Sequence, residues 1–260
     1  EGTPLPTAFL LYEEYFDETF NGAIALLNAA GYAVMRPSVH LEQGYPGESW
    51  MKGVTAAANR LIDLGIADPD RLGGHGTSYG GYAVNLLITQ TSRFRAAINI
   101  SGKVNMVSFY TDSPRLGVRN IHAPERSQDR IGGSLWGGPM KYMNHSPIPF
   151  ADRIRTPPPP LNGGQGHNVP GRQSREMYYA FRRLGGRVEW VNYVNGGHGV
   201  PMSTEAEVRD YHARILDWYD RYLKPSPAAA QDGDEGEGAE PAGAEGGAGT
   251  QGALPGPSPR

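Results

Sequence analysis

Eleven residues in the first third of the chain, Arg71-Leu-Gly-Gly-His-Gly-Thr-Ser-Tyr-Gly-Gly81, leave the backbone little choice. Within them, Gly76-Thr77-Ser78-Tyr79-Gly80 has the Gly-x-Ser-x-Gly spacing of a sharp strand-to-helix turn that lifts one serine hydroxyl above a sheet edge. Such a turn is strained, and the residues flanking the serine must carry no side chain that would strike neighbouring backbone. In a chain with 36 glycines the spacing alone is cheap, so its surroundings must carry the argument. Ala67-Asp-Pro-Asp70 predicts a turn ahead of it, and Tyr82-Ala-Val-Asn-Leu-Leu-Ile-Thr89 predicts a buried helix behind it. Strand, turn and helix then follow in the required order.

The rest of the chain repeats that alternation. Thr7 to Tyr12 reads as a short buried strand, Ala23 to Leu27 as a helix stopped by Gly31, and Tyr32 to Arg36 as the next strand, closed by Pro37. A Gly-, Tyr- and Pro-rich loop leads into a helix over Ser49 to Leu64, with Ser49 its expected cap. Ala96 to Ile100 is a further strand. Residues 103–150 lack periodicity and predict a long irregular excursion over the sheet edge. Ser174 to Arg183 predicts a helix, Val188 to Tyr193 a strand, and Glu205 to Leu223 a final helix. This order implies an α/β fold with a mostly parallel central sheet and helices on both faces.

Composition sets the limits. Residues 1–224 are long enough for one α/β domain, whereas 225–260 are Gly-, Ala-, Pro- and Glu-rich with almost nothing to bury, which predicts a disordered acidic tail. That tail holds six acids against Arg260, so the net −3 of the whole chain leaves +2 for the remainder. No concentrated basic face offers itself to nucleic acid. No apolar run approaches the ~18 residues of a membrane span. Cysteine is absent, which removes disulfides and thiolate metal sites, and none of the histidines has metal-helix spacing, so neither a metal nor a cofactor is expected. The compartment stays open. Dinucleotide binding is set aside because Gly74-His-Gly76-Thr-Ser-Tyr79 places tyrosine where the third glycine of that fingerprint belongs. The first residue, Glu1, runs almost at once into a strand, as expected for a piece of a longer chain.

A serine at such an elbow needs a base. In the α/β-hydrolase order of serine, acid and histidine, the base sits on a loop after a late strand. Asn195-Gly-Gly-His198-Gly199 follows the strand ending at Tyr193 and precedes the last helix. His198 is therefore expected to take the Ser78 proton and return it to the leaving group.

Several spaced segments agree with one family. Gly-Thr-Ser78-Tyr-Gly-Gly-Tyr, Leu135-Trp136 before Tyr142 and Ser146-Pro147, Ala151 to Pro157, Asn168-Val-Pro170 and Asn195 to Gly199 together resemble the catalytic domain of the prolyl oligopeptidase family of serine peptidases, from about Pro6 to Lys224. The resemblance implies hydrolysis of short peptides. It also implies an N-terminal β-propeller that limits access, and no propeller repeats occur here. The oxyanion hole is expected from the Tyr79 N–H, by the logic of the fold, and from the hydroxyl of Tyr12, although Glu13-Glu14 follow it where the family has glycine. Met106, Phe109 and Tyr110 fall where the family builds the pocket for the side chain preceding the cut bond.

The acid departs from the pattern. In Asn162-Gly-Gly-Gln-Gly166-His-Asn-Val-Pro170, Gly166 stands where the family's aspartate belongs, with Asp112 the one substitute to consider. Pro157 to Pro160 replace an aliphatic run in the strand that should deliver this loop, which predicts a damaged strand. Three functions remain: a peptidase impaired at its acid, an esterase on the same scaffold, and a silent binding domain.

Overall fold

The computed structural model describes residues 2–14, 21–112, 119–156, 160–163, 166–186, 188–200 and 204–224. The expected disordered tail, and three of the four consecutive prolines, lie outside them. Among the described residues six strands form one parallel sheet: β1 (Leu5–Leu10), β2 (Ala33–Met35), β3 (Ala67–Thr77), β4 (Phe94–Ile100), β5 (Pro160–Gly163) and β6 (Val191–Tyr193), in the order β2-β1-β3-β4-β5-β6. The crossovers are α1 (Gly22–Ala29), α2 (Pro46–Asp63), α3 (Tyr79–Gln90) and α7 (Arg172–Arg183), with α8 (Glu205–Leu223) closing the fold.

Parallel strands must be covered on both faces, and two apolar clusters do this. On one face Trp50, Val54 and Ala58 of α2, Tyr82 to Val84 and Leu86 to Ile88 of α3, and Met177 and Phe181 of α7 pack against Phe9, Leu72, Phe94 and Ala97. On the other, Leu27 of α1 and Ile215, Trp218, Tyr219 and Leu223 of α8 cover Ala8, Leu10, Ala96, Ile98 and Leu161. Close approach is built into the centre strand. A Cβ at Gly73 would strike the Tyr219 ring, so a side chain there would push α8 off the sheet.

Five expectations need correction. Ala67 to Asp70 is no separate turn: it belongs to β3, where the partner register jumps from Leu5↔Ala67 to Thr7↔Leu72. The turn chemistry survives as a bulge, with Asp68 accepting from the Asp70 N–H and Arg71 Nε. Ser49 does not cap α2, because Pro46 starts the helix earlier with its preset φ; Ser49 Oγ instead donates to the Tyr45 carbonyl from inside the first turn. Residues 103–150 are not irregular throughout, as far as they are described. They contain α4 (Met106–Thr111), α5 (Arg119–Arg126), α6 (Pro139–Asn144) and the start of a 3-10 turn (Ile148–Arg153), each too short to print a periodicity. The strand predicted over Val188 to Tyr193 shrinks to β6. Of the strand predicted as damaged, residues 157–159 lie outside the described ones, but from Pro160 onward it does form: Pro160 occupies its first position, where the missing N–H is tolerated, and the Leu161 carbonyl accepts from the Ser101 N–H.

Candidate active site

Ser78 sits between the last residue of β3 and the first of α3 with φ +60° and ψ −115°, a left-handed backbone that side chains avoid. The sequence holds it there from three sides. Its N–H donates to the Ile100 carbonyl at 2.8 Å, and its carbonyl accepts from the Tyr82 N–H at 3.0 Å. The two flanking glycines leave no room for anything larger: a Cβ at Gly76 would overlap the Gly80 carbonyl, and one at Gly80 would overlap the carbonyl of Leu11. Behind the turn, Tyr79 to Thr89 are buried, so the elbow rests on a fixed helix.

His198 comes from the loop between β6 and α8. The Gly196 N–H closes that loop on the Tyr193 carbonyl at 2.8 Å, and the Tyr193 hydroxyl donates to Asp210 of α8 at 2.8 Å. The loop delivers the imidazole across the sheet edge, and His198 Nε2 lies 2.7 Å from Ser78 Oγ. Residues 120 apart in sequence thus form a hydrogen-bonded nucleophile and base pair, both half-buried and open to one cavity. The cavity measures about 490 Å³ and is lined by Tyr12, Gln128, Asn168 and Tyr211 besides Ser78 and His198. Its described lining includes no Asp, Glu, Lys or Arg.

Tyr12 lies two residues beyond β1. Its carbonyl accepts from Trp50 Nε1 at 2.7 Å, its ring meets Tyr79 edge-on at 6.3 Å, and its hydroxyl accepts from Gln128 Nε2 at 3.0 Å. Tyr79 opens α3, so its N–H is among those a helix leaves without an intrahelical acceptor. His75 also reaches the cavity, from β3. It is buried, its Nδ1 has no hydrogen-bond partner among the described residues, and burial depresses its pKa to about 4.

The other expected residues are placed apart. Met106, Phe109 and Tyr110 are buried in the α3-side core rather than on the cavity wall; Lys103 Nζ lies 4.4 Å from the centre of the Phe109 ring, and the Tyr110 hydroxyl donates to Glu125 at 2.6 Å. Asp112 pairs with Arg172 at 2.7 Å and does not line the cavity. Gly166 has no side chain to offer the imidazole, and of its loop it is Asn168 that reaches the cavity wall. Gln128 was not foreseen at all. It lies in a stretch without periodicity or motif, and its place on the cavity wall and the two hydrogen bonds of its side chain mark it out.

A six-stranded parallel sheet with a strained serine elbow at its centre and a histidine arriving from the loop after the last strand defines an α/β-hydrolase. The model of the prolyl oligopeptidase family matches residues 19–226, and the chain belongs to that family. Peptidase YuxL of Bacillus subtilis is 25% identical over 222 residues, covering 80% of this chain and 33% of that protein. Dipeptidyl-peptidase 5 of Porphyromonas gingivalis is 24% identical over 223 residues, 79% of this chain and 31% of its own length. A puromycin-hydrolyzing peptidase of Mycobacterium tuberculosis superposes with a TM-score of 0.72 at 22% identity, over 87% of this chain and 35% of that one. The chain thus spans about a third of the length of the relatives it matches. Among the described residues no helix is long and apolar enough to cross a membrane.

Proposed function

We propose that this chain is the catalytic portion of a serine peptidase that cleaves short peptides through an acyl-enzyme. The observation carrying this reading is the 2.7 Å approach of Ser78 Oγ to His198 Nε2 at an elbow that the flanking glycines make unavoidable. Ser78 attacks the scissile carbonyl while its proton passes to His198 Nε2. The carbonyl oxygen, now an anion, is held by the Tyr79 N–H and the Tyr12 hydroxyl. His198 then gives the proton to the leaving amine, and water repeats the cycle on the acyl-enzyme. The described lining of the cavity, with no Asp, Glu, Lys or Arg, suits a neutral peptide backbone. Limitation to short peptides rests on the family's β-propeller, and no propeller blade occurs among the described residues.

Gly166 lowers the rate. Residue 166 cannot itself supply the carboxylate that the family places there, and removal of that group costs about 10⁴-fold in related chemistry. That loss favours a second reading, an esterase, because an ester leaving group needs less help from the acid than an amine does. A fluorophosphonate probe tests both. We expect labelling at Ser78 that disappears in His198→Ala, with hydrolysis of a dipeptide anilide; ester turnover without any anilide turnover selects the esterase. A chain that is never labelled is a silent binding domain.

A further inference from the structure

Tyr12 can serve the anion only if its O–H proton points into the cavity, and a hydroxyl gives its proton to whichever acceptor it faces. Gln128 faces it here. A glutamine presents either a carbonyl, which would draw the Tyr12 proton away from the cavity, or an amide N–H, which would occupy the Tyr12 lone pair and leave the proton free. Glu13 decides between the two. Gln128 Nε2 lies 2.9 Å from Glu13 Oε1 as well as 3.0 Å from the Tyr12 oxygen. A carboxylate accepts only, so the group facing it must be the N–H₂, and the same N–H₂ then faces Tyr12. Glu13 is itself fixed by Arg130, whose Nη2 lies 2.7 Å from Oε2, while Arg130 Nη1 donates to the main-chain carbonyl of Gln128 at 2.7 Å and so ties the strap's backbone rather than the amide. Arg130 holds a left-handed φ of +53° within this short strap.

We infer that the Arg130–Glu13–Gln128 strap is a polarity lock on Tyr12: Glu13 fixes the orientation of the Gln128 amide, which directs the Tyr12 proton at the developing oxyanion. Gln128 is a positioning residue that acts through Tyr12. The inference rests on the oxyanion role proposed above and gives the acidic residue that replaces a glycine after Tyr12 a definite task.

The test compares the unaltered chain with Tyr12→Phe, Gln128→Glu and the double variant, by the rate of Ser78 labelling with a fluorophosphonate and by kcat and KM on a p-nitrophenyl ester. The introduced carboxylate accepts the Tyr12 proton, so Gln128→Glu should slow labelling and kcat about tenfold or more, as loss of an oxyanion donor does, with KM little changed. The double variant should be no slower than Tyr12→Phe alone, and the Gln128→Glu defect should shrink as pH falls and the new carboxyl takes up its proton. Should Gln128→Glu not fold, Gln128→Met removes the directing N–H and must show the same dependence on Tyr12. A Gln128→Glu rate equal to the unaltered chain, or losses that multiply in the double variant, overturns the lock alone. If Ser78 is not labelled, or Tyr12→Phe has no effect, the oxyanion role fails and the lock with it.

Discussion

Ser78 stores backbone strain of roughly 1–3 kcal/mol in its left-handed φ, which the hydrogen bonds of its N–H and carbonyl and the buried α3 offset. The return is a hydroxyl held against His198. That half of the site was legible, since glycine at 76 and 80 has a steric reason to be there and His198 falls in chain order in a glycine-rich turn. The other half was not. Met106, Phe109 and Tyr110 are apolar residues whose spacing is the same whether they line a pocket or fill a core, and the structure buries them. Gly166 supports a prediction at this scale. In the proposed mechanism Gly166→Asp restores a carboxylate and should raise anilide turnover by orders of magnitude, with a smaller gain on esters; stopped-flow and steady-state rates check it, and an unchanged kcat means that the loop does not bring position 166 to His198.

Among the elements, the segment between β4 and α7 diverges most from a linear reading. Its helices are six to eight residues long and pack by side chains from distant turns, which no window of sequence contains. Their joint is a buried ion pair: Lys103, 5% exposed, meets Asp129, fully buried, under the rings of Tyr79 and Phe109. Removing one member of such a pair leaves an uncompensated charge, so Asp129→Ala should cost about 3–5 kcal/mol in urea unfolding. Replacing both, Lys103→Met with Asp129→Leu, should recover most of that loss. A single-variant cost below about 1 kcal/mol would show that the pair does not hold the segment down. Because Asp129 lies between Gln128 and Arg130, this joint also anchors the strap that reaches Tyr12.

At the scale of the whole molecule, stability should depend on pH through His75. An unfolded histidine takes up a proton near pH 6.5, whereas burial keeps His75 neutral in the fold until about pH 4. The unfolded chain therefore binds the extra proton between those values, and stability falls as pH drops through that window, by about 2–3 kcal/mol on approaching pH 4. Urea midpoints at pH 7 and 4.5 measure it. His75→Leu should lose less on acidification than the unaltered chain, and equal losses would place the acid sensitivity elsewhere. By itself the sequence determined the alternation of strands and helices, the parallel sheet they imply, the elbow serine and the histidine that answers it, because each is written in local periodicity, glycine sterics and chain order. Only the tertiary structure decided that a proline-led β5 pairs between β4 and β6, that Lys103 and Asp129 meet in the core, and that Gln128 Nε2 reaches both Glu13 and Tyr12. Those outcomes depend on contacts between residues far apart in the chain, whose geometry exists only once the sheet has closed around them.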